Sequence, residues 1–263
     1  MGKSIGILSI KGGVGKTSSV ISLGDAISGF GKKVLLVDAN FSSPNLGIHF
    51  KIIDPPNTLH DVLGRKSNFK EAIQKLENFD VLPATIFQNK RINPLDLRKK
   101  LRTIKGKYDV VLIDSSPALN EETLAAMVAS DEIIIVTTPD HITLSTTLKA
   151  INFAKNRKTK INGIILNKVH GKRFELSLHE IEKATDVPIL AVIPYDLNVL
   201  ESVSKFIPST SHKPKSPASK EYKKLAGTIV GERYKPVSLK NFFRLTPKKQ
   251  EVNREVFYKG LFK

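Results

Sequence analysis

Ile5-Gly6-Ile7-Leu8-Ser9-Ile10-Lys11-Gly12-Gly13-Val14-Gly15-Lys16-Thr17-Ser18 joins an apolar run to a segment of helical spacing through a turn rich in glycine and lysine. Glycines at 12, 13 and 15 let the backbone curl so that successive N–H groups converge, and the helix that opens behind them adds the positive end of its dipole. That is a phosphate cradle. Lys16 is spaced to bring a point charge to the β- and γ-phosphates of a nucleotide, and the Thr17 hydroxyl to ligate Mg²⁺. A plain Walker A pattern has glycine where this chain has Ile10; this variant instead carries a second lysine, Lys11.

Working outward, the regular alternation of apolar runs and helical segments predicts a doubly wound α/β fold. Its sheet is mainly parallel, with helices on both faces. Strands are expected at Ile5 to Ile10, Val34 to Val37, Phe79 to Leu82, Tyr108 to Ile113, Glu132 to Thr137, Ile161 to Leu166 and Ile189 to Ile193. Helices are expected at Thr17 to Ser28, Thr58 to Leu63, Phe69 to Leu76, Pro94 to Ile104, Glu121 to Met127, Leu144 to Asn156, Leu176 to Ala184 and Ala218 to Val230. Pro208 to Pro217 reads as a Ser/Pro/Lys-rich link. The division expected is one domain over 1–230 and a basic amphipathic tail over 231–263.

Two of the apolar strands end in aspartate, Asp38 and Asp114, at the sheet edge where chemistry collects in open α/β folds. With Thr17, both are candidates to hold Mg²⁺ directly or through water. Composition narrows the remaining chemistry. The 263 residues contain no cysteine, which excludes disulfides, thiolate nucleophiles, thiolate-bound zinc and iron–sulfur clusters. The N-terminus runs directly into the first strand and no stretch has the length of a membrane span, so the expectation is a soluble protein made in the cytoplasm. No second constellation of His, Cys or acids suggests a small-molecule substrate site.

Lys11 to Thr17, the loop Asp38 to Leu46, Asp114 to Ala118, Asn167, and Pro194 to Asp196 together resemble the deviant Walker A ATPases of the MinD/ParA family, over nearly all of residues 3–230. The resemblance implies a P-loop NTPase fold and ATP with Mg²⁺ as cofactors. Gly12, Gly13, Val14, Gly15, Lys16, Thr17 and Ser18 would hold the phosphates, with Asn167, Pro194 and Asp196 beside the adenine. It also implies a homodimer that forms when ATP is bound and hydrolyses it slowly. In that dimer Lys11 would reach across to the partner's phosphates, as an arginine finger does. Asp38 and Lys16 complete the implied catalytic set, with one departure: the family usually has an acid where this chain has Asn40. An amide can orient water but cannot accept its proton, so slow turnover is expected.

The formal charge of +17 calls for an acidic partner, and fifteen Lys/Arg against five Asp/Glu from Glu201 onward place an excess of ten in the C-terminal quarter. In the tail, Leu239, Phe242 and Phe243 share helical spacing, as do Phe257 with Leu261 and Tyr258 with Phe262. The expected partner is an anionic membrane surface met through residues 239–263, peripherally on the cytoplasmic face, with an activating protein partner besides. The end Phe257 to Phe262 also looks like the short membrane-targeting helix of MinD proteins. An alternative is nonspecific DNA, met through basic clusters such as Arg157-Lys158, Lys172-Arg173 and Lys213 to Lys224. A further alternative is a nucleotide-gated scaffold with little catalysis.

Overall fold

A computed structural model describes residues 2–87, 92–234 and 248–261. Eight strands form one sheet: β1 (Lys3–Leu8), β2 (Val34–Ala39), β3 (Gln74–Lys75), β4 (Asp80–Leu82), β5 (Val110–Ser115), β6 (Glu132–Thr137), β7 (Lys160–Val169) and β8 (Ile189–Pro194). Their order is β3-β4-β2-β5-β1-β6-β7-β8, and every pairing is parallel except β3 with β4. The doubly wound, mainly parallel P-loop fold is therefore what the chain adopts.

Burial on both faces explains why the strands are almost continuously apolar. Alternate residues of β1, β2, β5 and β6 (Ile7, Leu36, Leu112, Ile134) turn to α1 (Lys16–Ser28) and α10 (Pro217–Val230), meeting Leu23, Ile27, Tyr222 and Leu225. Their neighbours Leu35, Val37, Val111 and Ile113 face the opposite layer, built from α2 (Leu59–Leu63), α3 (Phe69–Ala72), α4 (Asp96–Leu101) and α5 (Glu121–Ala129). Beyond β1, Ile133, Ile135 and Ile164 pack on α6 (His141–Asn156) and α7 (Leu178–Thr185). β5 lies directly beside β1 and β2 one place further out, so the cradle and both strand-end aspartates share one edge of the sheet.

Two local expectations are corrected, and two helices are added. The helix expected over Phe69 to Leu76 stops at Ala72, because Ile73 is extended and Gln74–Lys75 pair antiparallel with β4 instead. The expected link at Pro208 to Pro217 contains a helical turn, α9 (Ser209–His212), whose Ser209 and Thr210 are buried and whose Thr210 hydroxyl donates to Asp25 of α1 at 2.6 Å. A helix absent from the sequence reading, α8 (Leu197–Ser204), follows β8 and is capped by Asp196. Residues 249–261, within the expected tail, form α11 (Lys249–Leu261), which packs against β8 and α10. Leu239, Phe242, Phe243 and Phe262 lie outside the described residues. Among the described residues, no helix is long and apolar enough to cross a membrane.

Leu112 is fully buried on the central strand that carries Asp114. Leu112→Ala leaves a cavity under α1 and is expected to lower unfolding free energy by about 3 kcal/mol in denaturant titration.

Candidate functional site

The turn between β1 and α1 takes the shape its glycines permit. Gly13 and Gly15 have φ of 78° and 91°, and a Cβ on Gly15 would stand 2.2 Å from the Asn167 amide nitrogen. The end of β7 braces this turn from outside: Asn167 Nδ2 donates to the Val14 carbonyl and Lys168 Nζ to the Gly13 carbonyl, each at 2.7 Å. Gly15 gives α1 no side-chain cap, so the positive end of that helix is left open to the cleft. The cleft has a volume of about 560 Å³, and the cradle, Asn40, Asn45, Pro117, Asn167, Pro194, Tyr195 and α8 line it.

Asp38 and Asp114 are both fully buried and stand opposite each other in the β2–β5 register. Lys16 Nζ lies 2.8 Å from Asp114 Oδ1 and donates to the Ser115 carbonyl, while the Thr17 hydroxyl donates to Asp114 Oδ2 at 2.6 Å. Asp38 accepts from the backbone N–H of Asn40 and Asn45 at 3.1 Å and of Leu46 at 3.0 Å, which folds the loop after β2 over its own carboxylate. Burial, and next the charge of Asp114, push Asp38 from an ordinary value near 3.8 up to about 7, against the N–H donors and Lys16. Two carboxylates and one ammonium thus share a dry pocket that favours a further cation.

Magnesium fits this donor set. Thr17, Asp38 and Asp114 offer hard oxygens, and Mg²⁺ is commonly held by one or two carboxylates with phosphate and water rather than by a complete protein cage. When bound it neutralises phosphate charge. Asn40 is buried, its amide donates to the Ser43 carbonyl, and its Oδ1 has no hydrogen-bond partner, which leaves an acceptor beside the cleft.

The remaining residues singled out from sequence divide. Lys11 turns away from the cradle: its Nζ donates to Thr143 Oγ1 at 2.8 Å and lies 3.7 Å from Asp140 at the start of α6. Asp196 lines the cleft but its carboxylate serves the protein, accepting from Asn198 N at 3.0 Å and Ala218 N at 3.3 Å. Tyr195 stacks on His170, ring centroids 4.6 Å apart. Missed from sequence were Lys168, Asp140, Thr143 and the α8 wall of Val199, Leu200 and Val203. An Asp196 cap followed by Leu197, Leu200 and Val203 at i, i+3, i+6 was the available signal for α8. Lys168 and Thr143 carried no local signal, since only the sheet order brings them to the cradle.

A glycine cradle at a helix N-terminus beside two strand-end aspartates defines a P-loop nucleotide-binding protein. The family model for an AAA domain matches residues 2–168. An ATP-binding protein of Methanocaldococcus jannaschii is 34% identical across 100% of this chain and 97% of its own length. The cell division ATPase MinD of Pyrococcus furiosus superposes with a TM-score of 0.83 at 34% identity, covering 87% of this chain and 98% of its own. The septum site-determining protein MinD of Pyrococcus horikoshii, complexed with Mg-ADP, gives 0.82 at 33% identity over 87% and 96%. The chain belongs to the MinD/ParA family of P-loop ATPases.

Gly15→Ala imposes both an unfavourable φ and a clash with Asn167, so nucleotide binding measured by calorimetry is expected to weaken at least about tenfold, a change of about 1.4 kcal/mol. Because Asp38 is raised, the native state holds a proton that the unfolded chain has released between about pH 4 and 7, and its contribution to stability is lost as pH rises through that window. Without nucleotide, Asp38→Asn is therefore expected to melt at least about 3 °C above wild type at pH 8 and to lose most of this advantage at pH 4.

Proposed function

We propose that this chain is a slow Mg-ATP hydrolase whose ATP-bound form pairs with a second copy across the cradle, and that the pair associates reversibly with an anionic membrane surface to position a cellular component. The observation that carries the reading is the separation of the two motif lysines. Lys16 lies in its own cradle, whereas Lys11, about a third exposed, is held at the rim by Thr143 and Asp140. A cation at that rim suits the phosphates of a second copy better than its own. The related MinD proteins named above serve cell division, and that role is carried over here as part of the proposal.

Within this reading, the amides of Gly12 to Ser18 bind phosphate oxygens and Lys16 moves from Asp114 onto the β- and γ-phosphates. Thr17, Asp38 and Asp114 hold Mg²⁺. Asn167, Pro194 and Asp196 flank the base, with Tyr195 and the apolar residues of α8 behind them. Asn40 is the residue assigned to orient the attacking water, and as an amide it leaves the proton on it, so hydrolysis depends on Lys11 stabilising the charge that develops on the transferred group. Pairing matters at the surface as well. One amphipathic segment attaches marginally, while two act in concert.

Sedimentation with anionic vesicles and with DNA, each with ATP or ADP, tests the surface; ATP-dependent pelleting with vesicles is expected, and pelleting with DNA alone would replace this reading by a partition-type one. Lys11→Ala should keep monomer ATP affinity within about threefold yet lose ATP-dependent dimerisation in analytical ultracentrifugation. Asn40→Asp should raise turnover at least about tenfold on the same vesicles, since it restores a proton acceptor; unchanged turnover would remove Asn40 from the mechanism.

A further inference from the structure

Lys168, near the end of β7, combines an uncommon backbone conformation with a contact to the cradle. The stretch of β7 from Leu166 to Val169 faces the shorter stretch of β8 from Val192 to Pro194, so β7 carries an extra residue there. Lys168 has φ of 57°, in the left-handed region that a residue with a Cβ adopts only under strain. In a regular strand Asn167 and Lys168 would point to opposite faces. The left-handed residue breaks that alternation, and both side chains arrive at the same turn: Asn167 Nδ2 donates to the Val14 carbonyl and Lys168 Nζ to the Gly13 carbonyl, each at 2.7 Å.

These contacts fall on consecutive peptide units. A trans peptide holds its C=O and N–H on opposite sides, so the Gly13 carbonyl fixes the direction of the Val14 N–H, and the Val14 carbonyl that of the Gly15 N–H. Holding both oxygens toward β7 turns both N–H groups away from it, into the hollow of the turn. Gly13 and Gly15, with φ of 78° and 91°, border these units, and glycine lets a peptide plane swing with little steric resistance. Glycine therefore permits the cradle without fixing it. Lys168 is exposed and lines the cleft, and its ammonium is donated to a neutral carbonyl of the cradle while its own backbone is held strained. A solvent-facing contact of that kind adds little to the stability of the fold, so stability alone does not account for it.

We propose that Lys168 is a positioning residue for phosphate binding: its ammonium pins the Gly13 carbonyl and so presets the Val14 N–H for the phosphates of ATP, and the left-handed turn at 168 serves to deliver that ammonium. Asn167 does the same for the next peptide unit. The gain is in preorganisation, because the cradle has no peptide planes left to order when phosphate arrives. Fold stability and binding then respond to Lys168 in opposite directions. Relieving the strain at 168 favours the fold, whereas removing the ammonium loosens the cradle. The assignment rests on the Mg-ATP site and is independent of the surface the protein associates with.

Three variants of the full chain separate these effects. Lys168→Met keeps the stem and removes the ammonium, Lys168→Arg keeps a cationic donor, and Lys168→Gly removes the ammonium together with the strain. Affinities for Mg-ATP and for magnesium tripolyphosphate, which has the phosphates without the base, are measured by competition against a fluorescent ATP analogue at about 0.05 M and about 0.5 M KCl. Thermal melting without nucleotide reports the fold. Lys168→Met and Lys168→Gly are expected to lose at least about tenfold in affinity for both ligands at both salt concentrations, with Lys168→Arg within about threefold of wild type. Lys168→Gly is expected to melt within about 2 °C of wild type or above it. Wild-type affinity in Lys168→Met overturns the inference. A loss confined to Mg-ATP does so as well, since Lys168 would then be a wall of the base pocket, and a loss that disappears at the higher salt reduces it to a general surface charge. If Lys168→Gly melts well below wild type, the contact is structural and the inference falls. A wild-type chain that binds neither ligand overturns the Mg-ATP reading itself.

Discussion

Two fully buried carboxylates, Asp38 and Asp114, aligned on neighbouring parallel strands, are the constraint around which this molecule is arranged. Like charges at that separation in a dry interior are tolerable only with cations or donors beside them. Lys16 and Thr17 from α1 answer Asp114, and the backbone of Asn40, Asn45 and Leu46 answers Asp38. The loop after β2 is thereby tied to the charge state of the pair. Anything that adds positive charge between the carboxylates, or draws Lys16 away, alters what that loop must satisfy.

The same charge logic separates binding from chemistry. Phosphate recognition is provided by backbone, helix end and Lys16, all within one short stretch, and demands nothing unusual of the rest of the chain. On the proposed mechanism, hydrolysis asks for a second cation and for orientation of water, and the residues assigned to those tasks have other attachments. Lys11 is held on α6, and Asn40 is an amide without basicity. On the reading proposed above, such an arrangement holds nucleotide more readily than it consumes it.

Energy is distributed in the same way at the other end of the sheet. β8 carries α8 at its C-terminal end, where the cleft lies, and is covered by α11 along its outer edge. α10 packs on α1, on β8 and on α11, so one helix borders the phosphate site, the sheet edge and the terminal segment. Buried polar contacts rather than bulk apolar area define these junctions: Ser19 with Tyr222, Thr210 with Asp25, Arg254 with Glu221. Such contacts have few alternative geometries and hold each junction in one arrangement.

Much of this was legible in the amino-acid order. Glycines that require positive φ, apolar runs ending in Asp38 and Asp114, and the pairing of Lys11 with Lys16 are local features, and local sterics and burial are enough to give them meaning. Sequence alone therefore specified the parallel sheet and the cradle, and singled out Thr17, Asp38 and Asp114, which the fold brings to one edge of the sheet. Tertiary structure decided what depends on distant neighbours: that Ile73 leaves a helix for a sheet edge, that Asn167 and Lys168 brace a turn some 150 positions away, and that Asp196 caps α8. It also decided the place of α11. An amphipathic helix advertises an apolar face, but whether lipid or its own protein covers that face is settled by what the fold brings alongside. Here that is the open edge of β8 and a buried glutamate waiting for Arg254.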